Sequence, residues 1–470
     1  MNEFDATTKT ERLKKIAFWG GLFLSIVTFL LLGSSGWDQP AQIVGAVTVL
    51  CAVWWIFEPV PIPATSLIPV GVFPLTGALD KVKVAQAYGH YLIILLLGGF
   101  IISQAMEKSG THKRLASGMI RLFGGKGKML VFGFMAASGL LSMWISNTAT
   151  TLMLLPIALA VLDEAKDKAL TIPLLLGICY AASIGGMGTP IGTPPNAAYV
   201  SIYKEYTDRD VGFAEWMKMG IPLVFILLPV AGFWLTRKVK SETEVILPSS
   251  GTWRKSEIRT LTVFILIAIA WMTRKDPFGG WQELFGFHTA SDADVAIVGA
   301  VILFLIPSGD KKGEKLMDWE TAVKIPWGIL LLFSGGLVIA TAFKDSGLSS
   351  AVGSQLVGII NFHPFLLMLI TCLAVTFLTE VTSNTASTLL LLPIIAETVI
   401  KSGVFPDPAI LMIPATISAS CAFMMPVATA PNAIIYGSQR VSINRMVREG
   451  FFLNVIFAFI ISTFFYFVLL

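Results

Sequence analysis

Ser146-Asn147-Thr148 and Ser383-Asn384-Thr385 interrupt long apolar runs of this 470-residue chain. Each is followed by a second polar break, first Gly192-Thr193-Pro194-Pro195-Asn196 and then Ala428-Thr429-Ala430-Pro431-Asn432. The two Ser-Asn-Thr stretches lie 237 positions apart, and the asparagines of the two later breaks lie 236 positions apart. A polar interruption at corresponding positions in two halves of a hydrophobic chain is typical of the binding site of a secondary transporter. We therefore expect substrate and coupling ions to bind between these four breaks.

The composition is that of a membrane protein. Apolar residues make up 55% of the chain and charged residues only 14%, and the mean hydropathy is +0.75. A soluble domain carries roughly a quarter charged residues. Runs such as 16–32, 219–235 and 451–470 are long enough to cross ~30 Å of hydrocarbon. We predict an all-α polytopic membrane protein. The net charge of +4 follows from membrane topology and gives no support to nucleic-acid binding.

About eleven transmembrane helices are predicted. They cover approximately 15–33, 40–57, 61–79, 88–107, 171–203, 218–236, 257–273, 292–307, 325–343, 408–439 and 451–470. The regions around the two Ser-Asn-Thr stretches do not fit this pattern, because residues 129–162 would form a helix of about 50 Å while each half is short for a crossing. We predict two re-entrant hairpins, 129–162 and 364–400, with the Ser-Asn-Thr stretches at their tips.

The distribution of basic residues orients this topology. With the N-terminus in the cytoplasm, 25 of the 34 Lys and Arg residues lie on the cytoplasmic side. The C-terminus is then outside, and the first apolar run is a membrane anchor. The first hairpin enters from the cytoplasm and the second from outside, so the two repeats are inverted. We predict an integral protein of a bacterial inner membrane.

Other landmarks repeat with the same offset. Gly98-Gly99 and Gly335-Gly336 lie 237 positions apart. Segments 108–126 and 344–362, which follow the two glycine pairs, are amphipathic and are expected to lie along the membrane interface. A polar segment, 237–258, links the two halves.

The breaks contain the chemistry expected for binding an anion together with cations. A helix that begins inside the membrane presents free N–H groups to anions, and one that ends there presents carbonyls to hard cations. Ser142 and Ser146 share one helix face, as do Thr379 and Ser383. Asparagine and threonine side chains at both tips, and carbonyls of the later breaks, complete two oxygen-only sites suited to Na⁺. Alternatively, these hydroxyls bond back to their own helices.

Several residue types are missing from the breaks. No Lys, Arg or His lies within them, so helix ends, amides and bound cations would have to neutralise an anion. Glu380 is the one deep acid, with either a structural hydrogen bond or cation or proton coupling as its role. No phosphate-binding loop, channel filter or nucleophile–base arrangement occurs in the sequence, so an ATP-driven pump, a channel and an enzyme are all disfavoured.

The paired Ser-Asn-Thr tips and the downstream Thr-Pro-Pro-Asn-like breaks resemble the divalent anion–sodium symporter family, the INDY-type di- and tricarboxylate transporters. The resemblance runs from about residue 45 to the C-terminus. It implies a homodimer in which a transport domain moves as an elevator against a scaffold domain. The scaffold would comprise 1–128 and 237–362, and the transport domain 129–236 and 363–470. Ala430 departs from the family pattern, in which proline often occupies this position.

The resemblance also implies binding residues. One sodium site would involve Ser142, Ser146, Asn147 and Gly192. The other would involve Thr379, Ser383, Asn384 and Ala428. The carboxylates of the substrate would contact Asn147, Thr148, Asn384, Thr385 and Thr429.

The sequence thus favours a symporter that couples two or more sodium ions to the import of a C4-dicarboxylate such as succinate, malate or fumarate. A dicarboxylate exchanger and a symporter for citrate or sulfate are the alternatives within the same family.

Overall fold

The fold is helical throughout the part of the chain that the structure describes. The structure is a computed structural model, and it describes residues 3–165, 167–240, 251–275, 279–356, 358 and 362–470. Within these ranges no β-strand occurs, which confirms the all-α prediction. Nine helical stretches in the same ranges are long and apolar enough to cross a membrane. They are Glu11–Ser34, Gln39–Phe57, Lys81–Ser109, Asn147–Ala165, Lys168–Gly186, Phe213–Thr236, Trp327–Asp345, Asn384–Ser402 and Ile443–Leu469.

Seven helices precede the first hairpin. They are α1 (Glu3–Ser34), α2 (Gln39–Phe57), α3 (Ile62–Thr65), α4 (Ile68–Thr76), α5 (Lys81–Tyr88), α6 (Tyr91–Ser109) and α7 (Thr111–Phe123). The predicted crossing at 61–79 is divided into α3 and α4. Pro69 lies in the first turn of α4, a position that favours proline because the N–H group it lacks would have no partner within the helix. Helix α7 is amphipathic, as expected for segment 108–126, and buries one face that includes His112 and Ile120.

The first hairpin and the helices after it form one group. They are α8 (Gly127–Ser142), α9 (Asn147–Ala165), α10 (Lys168–Gly186), α11 (Pro194–Thr207) and α12 (Phe213–Thr236). A second group of six follows. It consists of α13 (Lys255–Met272), α14 (Gly280–Leu284), α15 (Asp292–Leu305), α16 (Trp319–Ala322), α17 (Trp327–Asp345) and α18 (Leu348–Leu356). Residues 241–250 of the predicted linker, and 357 and 359–361 of the predicted interfacial segment, lie outside the described residues.

The last five helices repeat the order of α8 to α12. They are α19 (Pro364–Thr379), α20 (Asn384–Ser402), α21 (Ala409–Ala419), α22 (Ala430–Gly437) and α23 (Ile443–Leu469). The packing repeats as well, because α8 packs on α10 as α19 packs on α21, and α12 packs on α10 as α23 packs on α21. Pro156 is the tenth residue of α9, and Pro393 is the tenth residue of α20.

The two repeated glycine pairs allow α6 and α17 to approach their neighbours closely. A Cβ atom on Gly98 would lie 2.7 Å from the Cβ of Ala296 in α15, and one on Gly335 would collide with the carbonyl of Ser66. The second glycine of each pair faces the other way. Gly99 faces the first polar break, and Gly336 faces α20. Helices α6 and α17 therefore contact other helices of segments 1–128 and 237–362 with one face and the hairpin groups with the other.

Each of the following ion pairs joins two residues that the sequence predicts on the same side of the membrane. On the side predicted to be cytoplasmic, Lys108 pairs with Asp318 and Arg440 with Asp163. Four further pairs lie on the opposite side. They are Lys83–Asp345, Lys344–Glu205, Arg209–Asp407 and Arg274–Asp292. Lys83 lies in α5 and Asp345 is the last residue of α17, so this pair joins the segment after α4 to the end of α17.

Candidate functional site

Four interruptions of helical structure surround the candidate site. The first hairpin turns between Ser142, where α8 ends, and Asn147, where α9 begins. The second turns between Thr379 and Asn384. Helices α10 and α11 are separated by residues 187–193, and α21 and α22 by residues 420–429. Each interruption therefore places the carboxyl end of one helix and the amino end of the next in the same region, as the sequence predicts.

Oxygen atoms converge at the first tip. One end of the Asn147 amide contacts the hydroxyl of Ser142 and lies 3.3 Å from the carbonyl oxygen of Gly192 and 3.2 Å from that of Ala182. An NH₂ group at this position donates to these oxygens. If the amide oxygen took this position, it would face the carbonyl oxygens of Gly192 and Ala182, and a cation between these oxygens would be needed to offset their repulsion. The structure thus brings together three of the four residues predicted for the first sodium site.

Ser146, the fourth predicted residue, caps α9. Its Oγ accepts a hydrogen bond from the backbone N–H of Ala149 at 3.1 Å, and its side chain is exposed. Ser383 caps α20 in the same way and accepts from the N–H of Ala386 at 3.4 Å. A hydroxyl that accepts one hydrogen bond keeps a second lone pair. Capping is therefore compatible with cation binding at both serines.

The first break packs against the first hairpin through contacts with backbone carbonyls. The hydroxyl of Thr189 donates to the carbonyl of Met143. A Cβ atom on Gly192 would lie 2.5 Å from the carbonyl oxygen of Gly186 and 3.0 Å from that of Met143. Only glycine fits at position 192, because any side chain would push the break away from the hairpin.

Asn196 and Asn432 hold the two breaks in the same way. The Asn196 amide donates to the carbonyls of Gly186 at 3.0 Å and Thr189 at 2.8 Å. The Asn432 amide donates to those of Ala422 at 2.9 Å and Met425 at 3.1 Å. Both side chains are fully buried. Each asparagine thus ties the amino end of one half-helix to carbonyls 10 and 7 positions earlier, and we call this arrangement the asparagine clamp.

The second tip contains an amide oxygen without a partner. Asn384 Oδ1 is buried and accepts no hydrogen bond among the described residues. The hydroxyl of Thr379 donates to the carbonyl of Thr376 in its own helix at 3.1 Å, as in the alternative interpretation of the sequence. Its lone pairs stay free. A buried acceptor left without a donor costs about 1–3 kcal/mol, so Asn384 is suited to an added ligand such as a cation or water.

Glu380 closes the second break onto the second hairpin. Its carboxylate accepts hydrogen bonds from the backbone N–H groups of Phe423, Met424 and Met425 at 2.7–2.9 Å. The amide of Asn454 in α23 donates to it at 2.6 Å. Four N–H donors around a buried carboxylate satisfy its ionised form. This geometry supports the structural role that the sequence left open, because the carboxylate holds the loop between α21 and α22.

The predicted substrate residues lie at amino ends of helices. Thr148 and Thr385 are the second residues of α9 and α20. Thr429 is the N-cap of α22, and its hydroxyl accepts from the N–H of Asn432 at 3.2 Å. Thr385 is almost fully buried, while Thr148 and Thr429 are half-buried. Amino ends of helices attract anions, which fits the predicted contact with carboxylates.

The two repeats cross over at the site. Helix α22 of the second repeat packs on α9 and α10 of the first, and α11 of the first repeat packs on α20 of the second. The phenol of Tyr180 in α10 donates to the carbonyl of Phe423 at 2.7 Å. Each hairpin therefore borders the later break of the opposite repeat.

Stacked aromatic rings connect the first tip to α13. The ring of Trp144 stacks on Phe213 with 5.8 Å between centroids, and Phe213 stacks on Trp271 of α13 at 4.5 Å. The backbone N–H of Phe213 also donates to Asp292 at 2.9 Å. The first hairpin is thus in contact with the region 237–362.

Sequence reasoning missed the donor side of the site. Asn196 and Asn432 stand in the breaks of the sequence, but their equivalent positions are the one sign there of the contacts that they make. Sequence reasoning gave no role to Thr189 or Tyr180, whose partners are distant in sequence. The described residues contain no cluster of His, Cys, Asp and Glu that could hold a transition metal.

Comparison with known proteins identifies relatives over most of the chain. A family model described as a citrate transporter matches residues 52–412. The sodium-dependent dicarboxylate transporter SdcS of Staphylococcus aureus strain NCTC 8325 is 38% identical over 472 aligned residues, which cover 96% of this chain and 90% of SdcS. SdcS of strain MRSA252 is 37% identical with the same coverage.

Two solved transporters share the fold. The YdaH transporter of Alcanivorax borkumensis superposes with a TM-score of 0.60 at 15% identity, covering 92% of this chain and 99% of YdaH. MtrF of Neisseria gonorrhoeae superposes with a TM-score of 0.57 at 14% identity, covering 91% of this chain and 94% of MtrF. The comparisons confirm the predicted resemblance, and they confirm a transporter rather than an enzyme.

Proposed function

The chain belongs to the divalent anion–sodium symporter family, and we propose on that basis that it imports C4-dicarboxylates such as succinate, malate and fumarate together with sodium ions. The observation that carries the proposal is the pair of related tips, each built from hydroxyl, amide and carbonyl oxygens. Oxygen ligands suit a hard monovalent cation, and the adjoining helix amino ends suit a carboxylate. The sodium dependence and the substrate class of SdcS support the same assignment.

In this proposal the first sodium ion binds among Ser142, Ser146, Asn147 and the carbonyl of Gly192. The Asn147 amide would donate to the surrounding oxygens when no cation is bound. It would turn its oxygen to the ion when sodium arrives. Such an exchange couples ion binding to the position of the α9 amino end, where the substrate carboxylate binds.

The second sodium ion binds at the second tip. Asn384 Oδ1, which is buried without a donor, is the first ligand, and Thr379, Ser383 and the carbonyl of Ala428 complete the set. Two sodium ions then offset the charge of a dicarboxylate without any basic side chain. The substrate carboxylates contact Asn147, Thr148, Asn384, Thr385 and Thr429.

Transport follows an elevator mechanism in a homodimer in this proposal. Segments 129–236 and 363–470 move together, and segments 1–128 and 237–362 form the scaffold. The packing of α22 on α9 and of α11 on α20 supports joint movement of the two hairpin groups. The membrane is a bacterial plasma membrane, with the N-terminus in the cytoplasm and the C-terminus outside.

Uptake into vesicles tests the proposal. Purified protein in proteoliposomes is expected to accumulate labelled succinate under an inward Na⁺ gradient and not when choline replaces Na⁺. Equal uptake in choline would overturn sodium coupling. Asn147→Ala and Asn384→Ala should each lower uptake strongly while membrane insertion stays normal, and unchanged uptake by both would show that the tips are only structural.

Citrate is the second candidate substrate, because the matching family model is described as a citrate transporter. Competition of unlabelled citrate, sulfate and fumarate against labelled succinate separates these substrates. Counterflow in the absence of a Na⁺ gradient separates an exchanger from a symporter.

A further inference from the structure

A polar cavity of about 130 Å³ lies on the side of the molecule that the charge distribution assigns to the cytoplasm. It is large enough for several water molecules, and hence for a tetrahedral oxyanion. Its walls come from the end of α6, the start of α13 and the loop between α15 and α16. Four basic side chains and two acidic ones line it, namely Lys108, Arg254, Lys311, Lys315, Asp310 and Glu314. The cavity is separate from the four breaks that form the transport site.

The two acidic side chains are bound to the walls of the cavity. Asp310 accepts hydrogen bonds from the N–H of Ser256 at 3.2 Å and from its hydroxyl at 2.5 Å. Glu314 accepts from the hydroxyl of Ser308 at 3.2 Å. Both serines are buried. Asp310 therefore holds the loop against the start of α13, and Glu314 stabilises the loop itself.

The basic side chains of the cavity are held in place by nearby partners. Lys108 pairs with Asp318 at 2.6 Å, and this contact lowers the pKa of Asp318 to about 2. Lys108 also lies 4.0 Å from Glu314 and donates to the carbonyl of Lys315 at 3.0 Å, so it belongs to the wall of the cavity and is not one of the phosphate ligands. Within the part of the chain that the structure describes, Lys315 donates to a neutral group, the carbonyl of Leu305 at 2.8 Å. An ammonium group has three donors, so Lys315 retains two. Arg254 donates to the carbonyl of Ser109 and lies 3.5 Å from Glu257, which also pairs with Arg114.

An exposed apolar surface adjoins the cavity. The side chain of Leu305 is 66% exposed, and Ile258, one turn after Arg254, is 49% exposed. Trp253 directly precedes Arg254 in the chain, the ring of Trp319 lies 6.4 Å from that of Phe304 beside Leu305, and both tryptophans are exposed. Tryptophan is enriched where a protein crosses the membrane–water interface, and basic pockets at that level bind phospholipid headgroups.

We propose that this cavity binds the phosphate of an anionic phospholipid from the cytoplasmic leaflet. The phosphate contacts Arg254, Lys311 and Lys315, and the acyl chains lie along Leu305 and Ile258. A free phosphate ester would offer the same charge but could not use the apolar surface. The cavity connects α6 with the start of α13 and the loop before α16, so a bound lipid stabilises the contact between segments 1–128 and 237–362.

Lipid titration tests the site independently of transport. The full-length protein is placed in phosphatidylcholine nanodiscs, and retained phosphatidylglycerol is counted by mass spectrometry as its fraction is raised. Lys311→Glu is the test variant, because Lys311 lines the cavity. Lys312→Glu is the matched control, since it makes the same charge change at the neighbouring exposed residue, which does not line the cavity. A second arm adds soluble glycerol phosphate.

The expected result is a preference for phosphatidylglycerol over phosphatidylcholine that falls on the order of tenfold in Lys311→Glu and about twofold or less in Lys312→Glu. Three outcomes overturn the proposal. One is the absence of any preference in the wild-type protein. Another is an equal loss in both variants, which would indicate general surface attraction. The third is equally tight binding of soluble glycerol phosphate, which would assign the cavity to a free phosphate ester.

Discussion

The two repeats close their breaks onto their hairpins through different groups at equivalent positions, although the hairpin supplies the acceptor in both. In the first repeat the carbonyl of Met143 accepts a hydrogen bond from the hydroxyl of Thr189. In the second repeat Glu380 occupies the position of Met143, and its carboxylate accepts from three successive N–H groups that end at Met425, the counterpart of Thr189. The asparagine clamp is the same in both.

The difference shows which part of the site the repeats share. The clamp fixes the shape of each break, because it binds the carbonyls that the preceding helix leaves free. The connection to the hairpin can be made by a side-chain hydroxyl or by a charge. The first repeat depends on one neutral hydrogen bond here, while the second depends on a buried carboxylate. We therefore expect the second tip to be far more sensitive to substitution.

Glu380→Gln is the sharpest test and should have the largest effect. The amide cannot accept from four donors, and loss of charge-assisted hydrogen bonds should lower the free energy of unfolding by about 3 kcal/mol. If the substrate binds only when the break is in place, the same loss of about 3 kcal/mol reduces the population of the binding-competent state, and succinate uptake falls by about 100-fold. Uptake per inserted protein and Tm measure the two effects.

Glu449→Gln is the control for Glu380→Gln. It also removes a buried carboxylate, which pairs with Arg237 at 2.7 Å, but it leaves both tips intact. It should lower Tm without a comparable loss of uptake. The comparison of the repeats fails if Glu380→Gln transports like the wild type, or if the two variants lose uptake equally.

The asparagine clamps should respond alike. Asn196→Ala and Asn432→Ala each leave two buried carbonyls without a donor, at a cost of about 1–3 kcal/mol per group. We expect uptake to fall by about tenfold or more in each, with less than about a threefold difference between them. The measurement is the rate of succinate uptake at saturating Na⁺.

The Asn→Asp variants at the same positions separate two explanations. A carboxylate keeps the oxygen of the side chain but cannot donate, so each Asp variant should be as impaired as the Ala variant. Normal uptake by the Asp variants would show that the amide oxygen matters and that the clamp does not.

Ser142→Ala and Thr379→Val should have the smallest effects. The hydroxyl of Ser142 contacts Asn147, while that of Thr379 donates to its own helix at 3.1 Å. Ser142→Ala is expected to raise the half-saturating Na⁺ concentration about fivefold and Thr379→Val about twofold, since one neutral hydrogen bond is worth about 1 kcal/mol. A larger shift in Thr379→Val than in Ser142→Ala would contradict the expectation that the Ser142 hydroxyl contributes more to sodium affinity. Sodium titration of uptake checks both values.

The sequence was sufficient to locate the breaks because helix ends are set by local chemistry. Serine and asparagine favour the first positions of a helix, and both hairpin tips lie where the sequence predicts them. The last break is longer than predicted, because it covers 420–429 and its residues 430–432 already belong to α22. The all-helical class followed from hydropathy in the same way. The division of 61–79 into α3 and α4 was missed, although Pro69 was visible, because the apolar composition suggested one continuous span.

The contacts that hold the site could not be read from the sequence. The partners of Glu380 are three backbone N–H groups 43 to 45 positions later, and a backbone group carries no sequence signal. The clamp partners of Asn196 are likewise carbonyls. Whether a hydroxyl bonds to its own helix or faces a ligand depends on side-chain rotamers. Ser142 and Thr379 differ in this respect despite their equivalent positions.

The exchange of partners between α9 and α22, and between α11 and α20, has a consequence for how such a chain arose. Half of the molecule by itself would expose the faces of α9 and α11 that the other half covers. We infer that a single-copy ancestor needed a second molecule of the same kind to cover these faces. Gene fusion would then have made permanent an assembly that two separate polypeptides had already formed.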